Sequence, residues 1–170
     1  TIARPAARVA QLAGFTIPAD KTFLIVPEDK IGKDHRFSGE KLGTVLAVFK
    51  YDGWEMALRM VQNIYEVGGR GHSCGIYSFN DEHIHQLALI APVSRIMVRQ
   101  VQSASNAGTF TNGMPMTSSM GCGVWGGNIT NENISLKHYM NVTWVSRPIP
   151  EDRPSDQELL GGFYNNQIFI

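Results

Sequence analysis

The sequence predicts an α/β fold built on a mainly parallel sheet with crossover helices. Two observations support this prediction. Apolar runs of strand length alternate with amphipathic patterns of helix length, and helices between strands imply right-handed crossovers between parallel neighbours. At 170 residues the chain is also long enough for one domain, or slightly more, with a buried core.

The first elements are a short helix and two strands. Residues 6–14 have a helical pattern that Gly14 ends, and residues 22–26 form an apolar run between two prolines. Residues 44–49 give a second strand after a polar loop.

The most strongly patterned helix follows the second strand. Asp52 is placed to cap its N-terminus, an apolar stripe continues to Val67, and Gly68-Gly69 ends it. A strand, a helix and a further strand follow at residues 72–78, 81–89 and 94–101.

The rest of the chain is mostly irregular. Residues 102–133 are rich in Gly, Ser, Thr and Asn, and so long a connection is typical of a functional or a disordered loop. Trp125 and several methionines favour the functional loop. The pattern of residues 139–147 predicts a late strand or hairpin arm. The polar chain that follows is predicted to be extended. We therefore predict a folded domain at residues 1–147 and an extended tail at residues 148–170.

Composition excludes several classes of partner. The chain has 15 basic and 15 acidic residues without a basic run, so neither nucleic acid nor a membrane surface is electrostatically favoured. No segment approaches the ~20 apolar residues of a membrane span, and none resembles a secretion signal. We expect a cytoplasmic protein with a small-molecule partner.

The sequence has partial matches to two kinds of functional site, a hydrolase nucleophile and a metal site. Gly71-His72-Ser73-Cys74-Gly75 matches the Gly-x-Ser-x-Gly nucleophile elbow of hydrolases, but that motif needs a strand before the serine and a helix after it. Here the order is reversed. The histidines and cysteines lack metal-ligand spacing, so we predict no metal site.

Three polar residues lie at positions in the chain where a catalytic or binding side chain could act. His72 lies between a helix end and a strand start, Glu40 precedes a buried strand, and Cys122 is flanked by glycines. Taken singly, the first two are better explained as an ordinary hydrogen-bonded histidine and a solvated carboxylate. Cys122 would be reactive only if a basic partner lowered its pKa.

Taken together, these residues resemble the coenzyme-A-acylating aldehyde dehydrogenases, including the aldehyde dehydrogenase half of bifunctional aldehyde/alcohol dehydrogenases. The similarity extends over nearly the whole chain, and its motifs occur in family order. The motifs are Ala10-Gln11-Leu12-Ala13-Gly14-Phe15, Glu40-Lys41-Leu42, Gly68-Gly69-Arg70-Gly71-His72-Ser73, Pro92-Val93-Ser94-Arg95, Gly121-Cys122-Gly123-Val124-Trp125-Gly126-Gly127-Asn128 and Glu132-Asn133. Within the family, Asn112-Gly113-Met114-Pro115 and Arg147-Pro148-Ile149-Pro150 are similar to the sulfoacetaldehyde dehydrogenase branch.

The resemblance implies a ping-pong reaction. A cysteine thiolate attacks an aldehyde, hydride passes to NAD or NADP, and coenzyme A takes the acyl group from the enzyme thioester. By resemblance, Glu40 would bind the ribose beside the nicotinamide, and His72 would transfer protons near the reacting thiols. Gly121, Cys122, Gly123 and Trp125 would line the substrate pocket.

The chain also departs from the family pattern. The family's nucleophilic cysteine and its dinucleotide-binding domain both precede the counterpart of Thr1, and neither Cys74 nor Cys122 stands at the nucleophile position. We therefore expect a C-terminal segment of the enzyme that is inactive alone and that associates as a homo-oligomer or with an N-terminal partner segment. The alternative is a non-catalytic α/β interaction or scaffold subunit.

Overall fold

The computed structural model describes residues 2–163. The chain divides into two compact units between Tyr139 and Met140. The domain boundary expected after residue 147 stays a prediction. Residues 164–170 of the expected tail lie outside the described residues. Within residues 2–163, no helix has the length and apolar character needed to cross a membrane.

The first unit begins with a helix and a parallel strand pair. Helix α1 (Ala6–Leu12) leads to β1 (Leu24–Glu28), which pairs in parallel with β2 (Val45–Phe49). Strand β1 lies two residues later than the sequence predicts and includes Pro27. Proline is tolerated there because both strands of a two-stranded sheet are edge strands.

Helix α2 (Trp54–Gly68) confirms the expected amphipathic helix but not its cap. The residue that precedes the helix is Gly53 at φ 74°, and no side chain caps the N-terminus. The prediction that Asp52 caps the helix is therefore wrong, because the left-handed glycine moves the helix start one residue beyond it. Gly69, at φ 97°, ends the helix as expected.

A parallel crossover follows. Strand β3 (Cys74–Ile76) pairs in parallel with β4 (Ile96–Val98), and helix α3 (Asp81–Ile90) connects them. Ile76, Leu87 and Ala91 form the buried cluster between these elements. The parallel strands and the crossover helix confirm the α/β class, although the strands form two separate pairs.

The remaining elements are short. Helix α4 (Gln102–Ser105) opens the long loop, and single 3₁₀ turns occur at Val124–Gly126 and Leu136–His138. In the second unit, residues 140–155 form no helix or strand, so the strand expected at residues 139–147 is wrong. Apolar periodicity there is not matched by a partner strand within the described residues. Helix α5 (Asp156–Leu160) has a capping box between Ser155 and Glu158.

Candidate functional site

One cleft contains both Glu40 and His72. Its volume is about 570 Å³, and its walls come from the loop at Phe37, from β2 and from the C-terminal end of α2. The loop is held by Lys41, whose ammonium donates to the carbonyl oxygens of Phe37 and Gly39, both at 2.7 Å. Tertiary folding thus brings together two residues that the sequence singles out from different motifs.

The Glu40 carboxylate is exposed and makes no side-chain hydrogen bond or ion pair within residues 2–163. An ionised carboxylate accepts hydrogen bonds and donates none, so its oxygens are suited to hydroxyl donors from a ligand in the cleft. Burial lowers the pKa of the adjacent Lys41 ammonium, an effect that the charge of Glu28 opposes.

The His72 imidazole is bonded to its neighbour. Its Nδ1 lies 2.6 Å from Oγ of Ser73. The same hydroxyl oxygen accepts hydrogen bonds from Nε2 of Gln102 at 2.8 Å and from Nδ2 of Asn106 at 3.2 Å. The Tyr65 hydroxyl donates to the carbonyl oxygen of Ser73 at 2.8 Å. Ser73 is therefore a fully engaged buried residue. It precedes β3, and no helix follows it directly, which is the reverse of a nucleophile elbow.

The glycine-rich segment lies against the backbone that precedes His72. A Cβ on Gly71 would come within 2.7 Å of Cβ and of the carbonyl oxygen of Cys122, and within 2.9 Å of N of Gly126. Gly71 also has φ 107°. Only glycine fits at this crossing, for both steric and conformational reasons.

The pocket residues predicted from the same segment lie outside the Glu40–His72 cleft. Gly121, Cys122, Gly123 and Trp125 are not among the residues that line it. Trp125 is 51% exposed and borders two other clefts, one with Val93 and one with Arg70. Their substrate role stays a prediction, and their position in this structure is beside the His72 backbone.

Neither cysteine lines the cleft. Burial raises the pKa of the Cys74 thiol, and a hydrogen bond with Tyr65 partly opposes this. Both cysteines are free thiols. The cleft therefore holds a carboxylate and an imidazole but no thiol from the described part of the chain.

Sequence reasoning did not single out Arg95 as a candidate site residue. Its guanidinium donates from Nε to Asn133 Oδ1 at 2.7 Å, and from the two terminal nitrogens to the carbonyl oxygens of His72, Gly121 and Asn131 at 3.1, 2.7 and 3.1 Å. Burial lowers the pKa of this group, and the nearby Cys122 opposes that shift. Arg95 comes directly before the apolar run Ile96-Met97-Val98, and a charged side chain at that position was the available signal.

Comparison with known proteins gives the chain its context. No protein-family model matches it. The sulfoacetaldehyde dehydrogenase of an Acholeplasma species is 46% identical over 163 residues, which cover 95% of this chain and 34% of that protein. The acylating sulfoacetaldehyde dehydrogenase of Cupriavidus necator is 38% identical over 161 residues, which cover 94% of this chain and 33% of that protein.

Solved structures agree with these relatives. A probable aldehyde dehydrogenase from Listeria monocytogenes matches with a TM-score of 0.82 and 32% identity, over 88% of this chain and 33% of that one. An acetylating aldehyde dehydrogenase from Geobacillus thermoglucosidasius matches with a TM-score of 0.78 and 32% identity, over 89% of this chain and 34% of that one. The chain thus spans about a third of the length of its relatives. In sequence and in fold, the chain is similar to about one third of these aldehyde dehydrogenases.

Proposed function

We propose that the chain contributes to the active site of an acylating aldehyde dehydrogenase that converts a short aldehyde, coenzyme A and NAD(P) to an acyl-CoA. The observation that carries the proposal is the shared cleft of Glu40 and His72. Sulfoacetaldehyde is the favoured substrate, because that aldehyde is named for the relatives at 46% and 38% identity.

Glu40 fits a role in holding the nicotinamide nucleotide. Its carboxylate is exposed to the cleft and is free to accept hydrogen bonds from ribose hydroxyls. When bound, the nicotinamide supplies the hydride acceptor for aldehyde oxidation. Fixing the ribose orients the ring, which lowers the entropic cost of reaching a reactive geometry.

His72 fits a role in proton transfer. An imidazole has one ring nitrogen that can donate a proton and one that can accept it, which suits it to general acid–base chemistry. In the cleft it would exchange a proton with the oxygen or sulfur atoms of a bound aldehyde or thioester. Arg95 supports this position through its hydrogen bond to the His72 carbonyl oxygen.

A full-length enzyme in which residues 2–163 replace the matching third of a sulfoacetaldehyde dehydrogenase would test the proposal. We expect His72→Ala to lower kcat/KM by about 10²-fold or more, the range typical of general acid–base groups. Glu40→Ala should raise the KM for NAD(P) more than the KM for the aldehyde. The matched controls are His85→Ala and Glu55→Ala, which change exposed residues of α3 and α2.

The rival is a non-catalytic interaction or scaffold subunit. Under that reading the His72 and Glu40 variants would turn over as fast as the controls, and the proposal would fail. The unfused chain, mixed with coenzyme A, NAD(P) and short aldehydes, should form no acyl-CoA, because no thiol of the described residues reaches the cleft. Turnover by the unfused chain would contradict that expectation.

A further inference from the structure

A buried hydroxyl controls the surroundings of the His72 imidazole. Ser73 is only 6% exposed, and its Oγ is bonded to Nδ1 of His72 at 2.6 Å. The amide nitrogens of Gln102 and Asn106 lie 2.8 and 3.2 Å from the same oxygen. Three nitrogen atoms therefore share one hydroxyl group.

The number of donors decides the direction of each bond. A serine hydroxyl has one hydrogen to donate and two lone pairs to accept with. Nε2 of Gln102 also lies 3.1 Å from the Ser73 carbonyl oxygen, which can only accept, so this amide directs its hydrogens at the serine. If Asn106 fills the second lone pair with its Nδ2 hydrogen, the hydroxyl hydrogen can go only to Nδ1 of His72.

We propose that Ser73 is a positioning residue that holds neutral His72 as its Nε2–H tautomer. Nδ1 then accepts from the serine, and the ring presents an N–H donor at Nε2. His72 itself is exposed and lines the cleft, so this N–H is available to a ligand. That the ligand atom is an aldehyde or thioester oxygen rests on the function proposed above.

The opposite tautomer conflicts with the network. With hydrogen on Nδ1, the Ser73 oxygen would face three donors with two lone pairs, and one donor at a buried position would lose its partner. A neutral His72 with a free lone pair at Nε2 is therefore the less stable tautomer, and His72 reaches it during proton transfer only by giving up one of these buried hydrogen bonds. In its neutral form the imidazole acts as a hydrogen-bond donor to the ligand.

Nitrogen-15 NMR of the chain tests this directly, because the protonated and unprotonated ring nitrogens of a neutral histidine have well-separated shifts. In its neutral form, His72 should show a protonated Nε2 and an unprotonated Nδ1. His138 is an internal control, since its Nδ1 accepts from the backbone N–H of Ser135 at 2.9 Å and should keep one tautomer throughout.

Variants separate positioning from folding. Ser73→Ala should give averaged shifts from a mixture of both tautomers at His72, whereas Ser73→Thr, which keeps the hydroxyl, should retain one. If Ser73→Ala does not fold, the double change Gln102→Ala with Asn106→Ala gives the same readout. It frees both lone pairs, so the hydroxyl can accept from Nδ1–H and both tautomers should appear.

A protonated Nδ1 in the unmodified chain would overturn the proposal, and so would an unchanged His72 spectrum in Ser73→Ala. These results do not depend on turnover. If NMR shows the other tautomer while His72→Ala still lowers turnover of the fused enzyme, only this inference is wrong. If NMR shows the expected tautomer while His72→Ala leaves turnover of the fused enzyme unchanged, only the proposed function is wrong.

Discussion

At the scale of single residues, Arg95 links the parts of the site. Arg95 as a whole residue is 5% exposed, and all acceptors of its guanidinium are uncharged carbonyl or amide oxygens. A buried charge is tolerated when its hydrogen bonds are satisfied, and the planar guanidinium satisfies several at once. These bonds connect the backbone of His72 to Gly121 and Asn131.

Replacing Arg95 should therefore loosen the whole assembly. Arg95→Met keeps much of the apolar stem but leaves buried carbonyl groups without donors, which costs about 2–4 kcal/mol of unfolding free energy. Urea denaturation followed by circular dichroism would measure the loss. Arg59→Met, on the exposed face of α2, should change stability by less than about 0.5 kcal/mol. Equal stability of the two variants would contradict the role given to Arg95.

The reactivity of Cys74 should depend on pH in a direction set by its burial. Burial raises the pKa of this thiol, so near neutral pH less thiolate is present than in an exposed cysteine. Iodoacetamide labelling, measured by mass spectrometry between about pH 7 and about pH 10, should be slower in the folded chain than in urea. Labelling should increase as the pH rises towards the raised pKa. Equal rates with and without urea would show that burial does not suppress the thiolate.

At the scale of elements, the crossover from β3 through α3 to β4 forms the most regular part of the fold. Trp54 of α2 stacks on His83 of α3, with ring centroids 4.2 Å apart and planes 11° apart. The Trp54 indole N–H donates to Gln86 Oε1 at 2.6 Å. The two helices are thereby fixed to each other above the second parallel strand pair.

The start of α3 depends on one cap. Asn80 Oδ1 accepts from the backbone N–H groups of Glu82 and His83 at 3.0 and 3.4 Å. Asn80→Ala should lower the unfolding free energy by about 1 kcal/mol, because two helix-terminal donors lose their partner. Asn80→Asp keeps an acceptor and should be nearly neutral. A loss as large for Asp as for Ala, in the same urea titration, would contradict the cap.

At the scale of the whole molecule, the β1–β2 sheet leaves one apolar face uncovered. Ile25, Leu46 and Val48 alternate along the paired strands and are 56%, 53% and 39% exposed. Contiguous apolar surface of this kind tends to drive association.

We therefore expect the unfused chain to self-associate. Light scattering should give a mass above that of one chain, increasing with concentration, because burial of this face removes apolar area from water. Ile25→Lys combined with Val48→Lys should lower the mass towards the monomer. Leu89→Lys, which changes an exposed leucine of α3, should not. A monomer at high concentration for the unmodified chain would contradict the expectation.

The sequence alone determined the α/β class, the helices α2 and α3, and the glycine at Gly69 that ends α2. These features depend on local physics: apolar periodicity sets helix and strand, and glycine permits left-handed backbone. Motif order also identified Glu40 and His72 as residues of interest. Each of these signals is contained within a few neighbouring positions.

Only the tertiary structure placed Glu40 and His72 in one cleft, left Trp125 outside it, and gave Arg95 its acceptors. The expected strand at residues 139–147 failed for the same reason, since a strand exists only where a partner backbone completes its hydrogen bonds. The Arg95 acceptors lie 23 to 38 positions along the chain from it. Hydrogen-bond partners and burial depend on which distant segments of the chain come into contact. A local sequence pattern holds no information about those contacts, so only the folded structure shows them.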